Sequence, residues 1–187
     1  MRSLRVYTTE AVILKRKPTG ETDKLITVFS RRYGKIRLLA KGIRRINSRR
    51  SGHLELFSIS TLTVHGGHSM DIITEAQVIQ NGNSFDEDNA SLPYMYCICE
   101  LVDQLLPDNQ EHQDIYELLR SALLGLHIRN TSAQFQDIFI DFTHQLLWTL
   151  GYLPKTKRLE DSHIQVFVER ITERRLRTWP LLKEMKS

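Results

Sequence analysis

The sequence predicts an α+β protein of two domains, a small β-barrel over residues 1–82 and an all-α helical bundle over residues 83–187. Apolar residues recur with a period of two through about the first 80 residues, as they do in strands. From about Ser91 they recur with a period of 3.6, as they do in helices. The polar segment 81–91, NGNSFDEDNAS, separates the two patterns. Because 41% of the residues are hydrophobic, the chain can fill ordinary cores.

The barrel is predicted from five stretches rich in Val, Ile, Thr and Leu, which turn-forming residues separate. They cover residues 6–15, 24–30, 35–41, 54–64 and 71–79. Five short strands with short connections are typical of an OB-fold barrel. An SH3-like barrel or a small sandwich is the alternative, because the number of strands does not separate these folds.

The helical bundle is predicted from four amphipathic stripes. They run over residues 94–105, 115–126, 135–150 and 164–171, the fourth continuing to Leu176 and ending near Pro180. Gly151 stands where a glycine commonly ends a helix. Thr131 with Gln134, and Ser162 with Gln165, have the spacing of capping boxes at the starts of the third and fourth helices.

Charge is distributed very unevenly along the chain. Residues 1–50 contain 15 lysines and arginines against 3 acids, whereas residues 51–187 contain 11 against 19. Residues 51–119 contain no lysine or arginine and 12 acids. A net charge of +4 for the whole chain hides this contrast. Such segregation predicts one surface that binds a polyanion, and nucleic acid is the favoured partner over a generic basic surface.

Residues suited to catalysis are few. His65, His68 and Asp71 resemble a metal site, but a single predicted hairpin tip supplies all three. Glu21 and Asp23 could serve as an acid and a base, but a capped, solvated turn beside Lys24 explains them more simply. Neither GxGxxG nor GxxxxGK[ST] occurs, so no nucleotide-binding loop is indicated. The sequence therefore predicts no enzyme.

Compartment and redox state are predicted from three absences. No apolar run approaches the roughly 20 residues of a membrane span. The longest apolar run near the N-terminus, AVIL, is too short for a signal peptide. Cys97 and Cys99 lie too close in sequence to bridge readily, and paired clusters of zinc ligands are missing. We expect a reduced, cytoplasmic protein that does not associate with a membrane.

The stretch KIRLLAK (35–41) predicts a strand with one apolar and one cationic face. Ile36, Leu38 and Ala40 fall on one face, and Leu39 falls on the other with the cations Lys35, Arg37 and Lys41. Strands 2 and 3 of an OB-fold commonly form its polymer-binding surface. In the turn before this strand, Tyr33 is a candidate platform for base stacking, although packing on its own hairpin is equally compatible.

The loop that follows, KGIRRINSRR (41–50), holds five cations and no acid. It extends the same cationic surface and predicts phosphate contacts that are insensitive to base sequence. The candidate DNA-binding residues are Lys24, Arg31, Arg32, Tyr33, Lys35, Arg37, Lys41, Arg44, Arg45, Arg49 and Arg50. Arg170, Arg174 and Arg177, placed on one face of the fourth helix, form a secondary basic face, for which a solvated helix is the favoured interpretation.

These features resemble the bacterial RecO family, DNA repair and recombination mediators. The resemblance rests on the order and spacing of Gly20, Glu21, Asp23, Leu25, Gly34, Lys35, Ala40-Lys41-Gly42, Ser48, Gly52, Leu54 and Phe57. YCICELV, FTHQLLWTLGYLP and VERITERRLRTWPLLKEM are similar to helical segments of that family.

The resemblance implies binding of single- and double-stranded DNA and annealing of complementary strands. It further implies action with RecR to load RecA onto DNA coated with single-strand-binding protein, in the cytoplasm at the nucleoid. The alternative is an RNA-binding OB-fold protein associated with ribosome or tRNA, because a basic barrel face does not itself distinguish DNA from RNA.

One departure from the family pattern concerns zinc. Many members carry four cysteines soon after a Gly-Tyr-x-Pro segment. Here Gly151-Tyr152-Leu153-Pro154 is followed by KTKRLEDSH, which has no cysteine. We therefore expect a shortened member of the family without a zinc cofactor.

Overall fold

The computed structural model of the chain describes residues 6–43, 51–82, 90–128 and 131–184. Their contacts define two compact units. The first comprises Met1–Asp86 and Pro107–Tyr116, and the second comprises Glu87–Leu106 and Glu117–Ser187. Residues 107–116, which the sequence pattern places in the helical domain, thus belong with the barrel.

The first unit is a closed barrel of five strands. They are β1 (Val6–Thr19), β2 (Asp23–Ser30), β3 (Gly34–Ala40), β4 (Ile59–His65) and β5 (Ile72–Gln80). Around the barrel they follow the order β1-β2-β3-β5-β4, and β4 closes on β1. Only the β3–β5 contact is parallel among these strand pairs. The prediction of an OB-type barrel followed by helices is confirmed.

Two strand boundaries differ from the prediction by more than one residue. β1 continues to Thr19, four residues further than expected. The stretch 54–64 is extended only from Ile59, because Ser51–Leu54 forms a turn of 3₁₀ helix. Phe57 has a φ of 64°, which interrupts extended backbone between that turn and β4.

A β-bulge in β1 reverses the faces of its second half. Ile13 pairs with Val28 and Lys15 pairs with Thr27, so that Leu14 is an extra residue in the ladder. Before the bulge, odd-numbered residues such as Ile13 point into the barrel core. After it, odd-numbered residues lie on the outer face, because the register has moved by one.

The barrel interior is filled by inward residues of all five strands. The buried core residues are Ala11, Ile13, Ile26, Val28, Ile36, Leu38, Ala40, Ile43, Leu54, Leu62, Val64 and Ile73. Ile43 and Leu54 are not in strands. They are the described residues that lie in the core on either side of the basic stretch 44–50.

The second unit is helical. The helices are α1 (Leu92–Leu105), α2 (Gln113–Ile128), α3 (Ser132–Thr149), α4 (Asp161–Thr172) and α5 (Trp179–Glu184). The first turn of α2, as far as Tyr116, belongs to the first unit. Phe139 contacts Tyr94 of α1 and Trp179 of α5, with ring centroids 5.9 and 5.4 Å apart. These aromatic contacts join three helices around one core.

Two of the predicted helix caps are confirmed and one is wrong. Thr131 Oγ1 accepts a hydrogen bond from the Gln134 N–H at 3.4 Å. At the other end of α3, Gly151 has a φ of 76°, and Tyr152 donates its N–H to the Leu147 carbonyl. Ser162 is no cap, because α4 already begins at Asp161 and its N-cap residue is Glu160.

The predicted fourth helix is confirmed over residues 164–171, but its continuation to Leu176 is wrong, and a separate helix follows from Trp179. α4 ends where Glu173 adopts the left-handed conformation, with a φ of 53°. The following turn is held by carboxylates: Glu169 accepts from the Leu176 N–H at 2.9 Å. Glu100 accepts from the N–H groups of Arg177 and Thr178 at 2.9 and 2.8 Å. α5 therefore starts from a fixed turn.

Candidate nucleic-acid interface

The outer surface of β1, β2 and β3 carries rows of residues that the strand register places side by side. One row is Lys15, Thr27 and Arg37, and the next is Lys17, Leu25 and Leu39. Neighbouring strands lie about 4.8 Å apart, so Lys15 and Arg37 are about 10 Å apart at their backbones.

Four cations of this surface are exposed, namely Lys15, Lys17, Arg37 and Lys41. We call them, with the half-buried Leu25 and Leu39 between them, the cationic face. Lys15 and Lys17 were missed in the sequence analysis. The sequence signal for them was the run of three cations at positions 15–17, because three consecutive strand residues cannot all point into a barrel. The bulge decides which of the three lie outside.

Arg16, the middle cation of that run, takes the inner side of β1. Its guanidinium forms an ion pair with the Glu55 carboxylate at 2.6 Å. It also donates to the Leu54 carbonyl at 3.4 Å. Arg16 therefore fastens the 3₁₀ turn to the barrel and does not belong to the cationic face.

Lys24, Arg31 and Arg32 lie around this surface at different places. Lys24 is half-buried and pairs with Ala40, whose side chain points inward, so Lys24 lies at the barrel end. Arg31 and Arg32 are exposed in the β2–β3 turn. The Arg31 N–H donates to the Glu10 carbonyl at 2.9 Å, which ties that turn to β1.

Lys35 is not an exposed cation, contrary to the prediction for this strand. It faces outward as its alternation requires, yet only 7% of its side chain is exposed. Its ammonium lies 3.3 Å from the Asp108 carboxylate. Residues 107–116 cover it. Strand periodicity could not predict this contact, because Lys35 and Asp108 are 73 residues apart in the sequence.

The covering segment is held by backbone as well as side chains. The Asn109 N–H donates to the Lys35 carbonyl at 2.8 Å. Gly34 has a φ of 64°, and a Cβ there would lie 1.7 Å from the Gln110 carbonyl oxygen. A glycine is therefore required where the segment crosses the β2–β3 turn.

Tyr116 closes the same cover. It is fully buried, and its ring lies 6.4 Å from that of Phe29 on the outer side of β2. Its hydroxyl donates to the Glu10 carboxylate at 2.9 Å. One end of the β2–β3 surface is thus occupied by the chain itself, and the cationic face is the remainder.

Tyr33 lies beside a second tyrosine. Its ring centroid is 4.5 Å from that of Tyr7, and both rings pack against the barrel core. The Tyr7 hydroxyl donates to Asp71 Oδ2 at 3.0 Å. Tyr33 is half-buried, and its role as a stacking platform stays a prediction.

The described start of the basic loop is tightly held. Gly42 has a φ of 65°, and its N–H donates to Asp23 Oδ1 at 2.7 Å. The next residue, Ile43, is 2% exposed and lies in the barrel core. The remaining predicted loop cations, Arg44, Arg45, Arg49 and Arg50, lie outside the described residues.

The secondary basic face predicted on one helix is wrong as a helical face. Arg170 is in α4, exposed, and 5.6 Å from the ring of Phe167. Arg174 and Arg177 follow the helix end in the turn before α5. The left-handed Glu173 breaks the helical spacing that would align the three cations.

The residues first considered for a metal site have other partners or are scattered. Asp71 accepts hydrogen bonds at both carboxylate oxygens, from Tyr7 and from the Gly67 N–H. His65 and His68 are exposed. Over residues 6–43, 51–82, 90–128 and 131–184, no three His, Cys, Asp or Glu residues converge as metal ligands do.

The two cysteines of the chain, Cys97 and Cys99, are poorly suited to bind zinc, and the expected absence of a zinc cofactor stays a prediction. Residues 155–163 contain no cysteine. Cys97 and Cys99 are buried in α1, and burial raises the pKa of the Cys97 thiol to about 12 and raises that of Cys99 as well. A zinc ligand must lose its thiol proton readily, so neither is suited to this role.

Among the described residues, no helix combines the length and the apolar character that a membrane span needs.

The barrel order and the appended helices define an OB-fold protein with a helical unit. Two models of one family match the chain, Recombination protein O N terminal over residues 1–81 and Recombination protein O C terminal over residues 87–161. The chain belongs to the RecO family. The second match ends at the first residue of α4, so the similarity of residues 168–185 to a family helix stays a prediction.

Several curated relatives carry the name DNA repair protein RecO. The protein from Roseiflexus sp. (strain RS-1) is 32% identical over 81% of this chain and 52% of its own length. Those from Thermoanaerobacter sp. (strain X514) and Desulforamulus reducens are 29% and 30% identical, over 60% and 57% of their lengths. The chain thus spans between about half and three fifths of these relatives.

Proposed function

We propose that this protein binds single- and double-stranded DNA and acts, without catalysing a reaction, in DNA repair and recombination. The observation that carries the proposal is the cationic face, in which Lys15, Lys17, Arg37 and Lys41 surround two half-buried leucines on an OB-fold barrel. The DNA-repair names of the relatives favour DNA over RNA.

The chemistry of the cationic face suits the sugar–phosphate backbone. Lysine and arginine neutralise phosphates and release counterions, so binding depends steeply on salt and little on base sequence. On single strands the slope of log K against log salt is about −0.7 for each phosphate contact. Four contacts on the cationic face alone would give a slope near −3 by the same estimate.

Annealing is the activity that such a surface supports without bond chemistry. Two complementary strands repel each other through their phosphates, and a surface that neutralises both lowers the barrier to pairing. In this proposal the protein also cooperates with RecR to load RecA onto DNA coated with single-strand-binding protein. The partner contacts are inferred from the family.

The test compares two lysine pairs that differ only in position. Lys15→Glu with Lys17→Glu reverses two exposed charges on the cationic face. Lys155→Glu with Lys157→Glu makes the same change in net charge at two exposed lysines of the helical unit. A third variant reverses Arg44, Arg45, Arg49 and Arg50 together, to test the loop.

Affinity for labelled oligonucleotides and strand annealing are measured across a salt series. The first and third variants are expected to bind at least tenfold more weakly and to have shallower salt slopes, because each lost phosphate contact removes about 0.7 from the slope. The helical-unit variant is expected to resemble wild type. Equal losses in all variants would refute a localised interface.

Two further arms of the same assay separate the alternatives. Addition of a chelator is expected to leave annealing unchanged, whereas a metal-dependent enzyme would lose its activity. Matched RNA oligonucleotides are titrated in parallel. A clear preference for RNA would contradict the proposed role in DNA repair and favour the alternative, an RNA-binding protein associated with ribosome or tRNA.

A further inference from the structure

Asp108 joins two cations of β3 through its two carboxylate oxygens. Oδ1 lies 3.3 Å from the Lys35 ammonium, and Oδ2 lies 3.1 Å from Nη2 of Arg37. The two partners differ greatly in exposure, because 7% of the Lys35 side chain and 56% of the Arg37 side chain are accessible. One acid therefore serves a buried and an exposed cation.

The two ion pairs differ in what they contribute. A buried ammonium is strongly destabilised when a counter-charge beside it is lost, so the pair of Lys35 with Asp108 is costly to break. An ion pair as exposed as that of Arg37 is weak, because water screens it. A competing anion can therefore displace Asp108 from Arg37 far more readily than from Lys35.

Asp108 is also fixed independently of Arg37. Its neighbour Asn109 hydrogen-bonds the Lys35 carbonyl, and the backbone of Gln110 crosses directly over Gly34. Tyr116 anchors the end of the same segment against Phe29 and Glu10. Consequently the carboxylate keeps its place when Arg37 turns away.

We propose that Asp108 sets one border of the DNA-binding surface on the barrel, the cationic face. Lys35 makes no DNA contact, and Arg37 exchanges the Asp108 carboxylate for a DNA phosphate when DNA binds. This inference rests on the proposed DNA binding and specifies which β3 cations take part in it. It also makes Asp108 a residue that weakens DNA binding.

The exchange is chemically favourable for two reasons. Arginine binds a phosphate with two parallel N–H···O bonds, a stronger geometry than the single close contact it makes with Asp108. The departing Arg37 leaves no uncompensated buried charge, since Lys35 keeps its carboxylate partner.

The decisive variant is the double substitution Lys35→Met with Asp108→Asn. Its net charge equals that of wild type, so any change in affinity is local. The methionine fills the volume of the buried lysine stem, and Asp108→Asn removes the carboxylate that the lost ammonium paired with. Arg37 is released from its carboxylate, and DNA affinity is expected to rise about twofold to fivefold, the equivalent of an exposed ion pair.

Adding Arg37→Met to the double variant supplies the control. That third substitution is expected to abolish the gain and to reduce the salt slope by about 0.7 on single strands. In the wild-type background, Arg37→Met is expected to have a smaller effect, because there Arg37 must first leave Asp108.

The outcomes separate this inference from the proposed function. Weaker binding by the charge-neutral double variant would show that Lys35 contacts DNA, and unchanged binding would show that Asp108 does not restrain Arg37. Either result overturns the inference while DNA binding by wild type stands. No DNA binding by wild type would instead refute the proposed function.

A measurement on the wild-type protein keeps the test valid if the double variant does not fold. Side-chain ¹⁵N resonances of Arg37 and Lys35 are followed during titration with a single-stranded oligonucleotide. The Arg37 guanidinium signal is expected to shift and the Lys35 ammonium signal to stay in place. A larger shift at Lys35 than at Arg37 would overturn the inference.

Discussion

Asp23 Oδ1 accepts a hydrogen bond from the Gly42 N–H at 2.7 Å and so connects the start of β2 to the start of the basic loop, 19 residues away. Asp23→Ala leaves that N–H without its acceptor, and we expect a loss of about 1–3 kcal/mol of unfolding free energy. Asp23→Asn keeps an oxygen in place and should lose less. Urea-induced unfolding of both variants checks this, and equal losses would contradict it.

Gly34 and Gly20 offer a matched pair for testing the cover over β3. Both have positive φ, 64° and 57°, but a Cβ at Gly34 meets the Gln110 carbonyl whereas one at Gly20 meets nothing within 4 Å. Gly20→Ala is expected to cost about 1–2 kcal/mol for the left-handed backbone alone. Gly34→Ala should cost clearly more. Thermal unfolding decides, and equal melting temperatures would argue against the close crossing.

The two cysteines provide a prediction about pH. Burial raises the pKa of Cys97 from 9.0 to about 12 and also raises that of Cys99. The thiolate is the reactive form, so both should resist iodoacetamide in the folded protein at pH 8 and react fully in urea. Rapid alkylation under native conditions would contradict the burial.

The raised pKa of the two cysteines also predicts how the stability of the fold changes with pH. Above about pH 9 the unfolded chain loses thiol protons that the folded protein retains, so the unfolding free energy falls as pH rises towards 12. Cys97→Ala and Cys99→Ala should each reduce this fall. Unfolding free energies measured at roughly pH 7 to pH 11 show whether stability falls as pH rises.

Substitutions at Thr131 and Ser162 compare two predicted helix caps, one that forms in the structure and one that does not. Thr131→Ala removes the acceptor of the Gln134 N–H and should cost about 0.5–1 kcal/mol. Ser162→Ala should change stability by less than about 0.5 kcal/mol, since Ser162 lies inside the first turn of α4. Differential scanning calorimetry distinguishes them, and a larger loss for Ser162→Ala would reverse the assignment.

Local pattern predicted the classes of structure and missed the contacts made by distant segments. Alternation identified Ile36, Leu38 and Ala40 as buried, which the barrel confirms. The same alternation placed Lys35 outside, and only the return of the chain at Asp108 decides that this outer position is covered. Periodicity describes the face on which a residue lies and carries no information on what packs there.

Two other wrong predictions have local causes in the backbone. The bulge at Leu14 adds one residue to β1, and without it Lys15 and Lys17 would point inward. Continuing apolar residues suggested one helix through Leu176, yet a single left-handed residue, Glu173, ends α4. Carboxylates from Glu100 and Glu169 then satisfy the freed N–H groups, a contribution that helical period does not reveal.

The two buried anchors of the basic stretch have a consequence for protein engineering and for divergence. Ile43 and Leu54 belong to the barrel core, so the two residues that flank this part of the chain are fixed. Doubling the length of a segment between fixed points costs only about 0.6 kcal/mol in closure entropy. We therefore expect the barrel to tolerate changes in the length and the charge of the segment between Ile43 and Leu54.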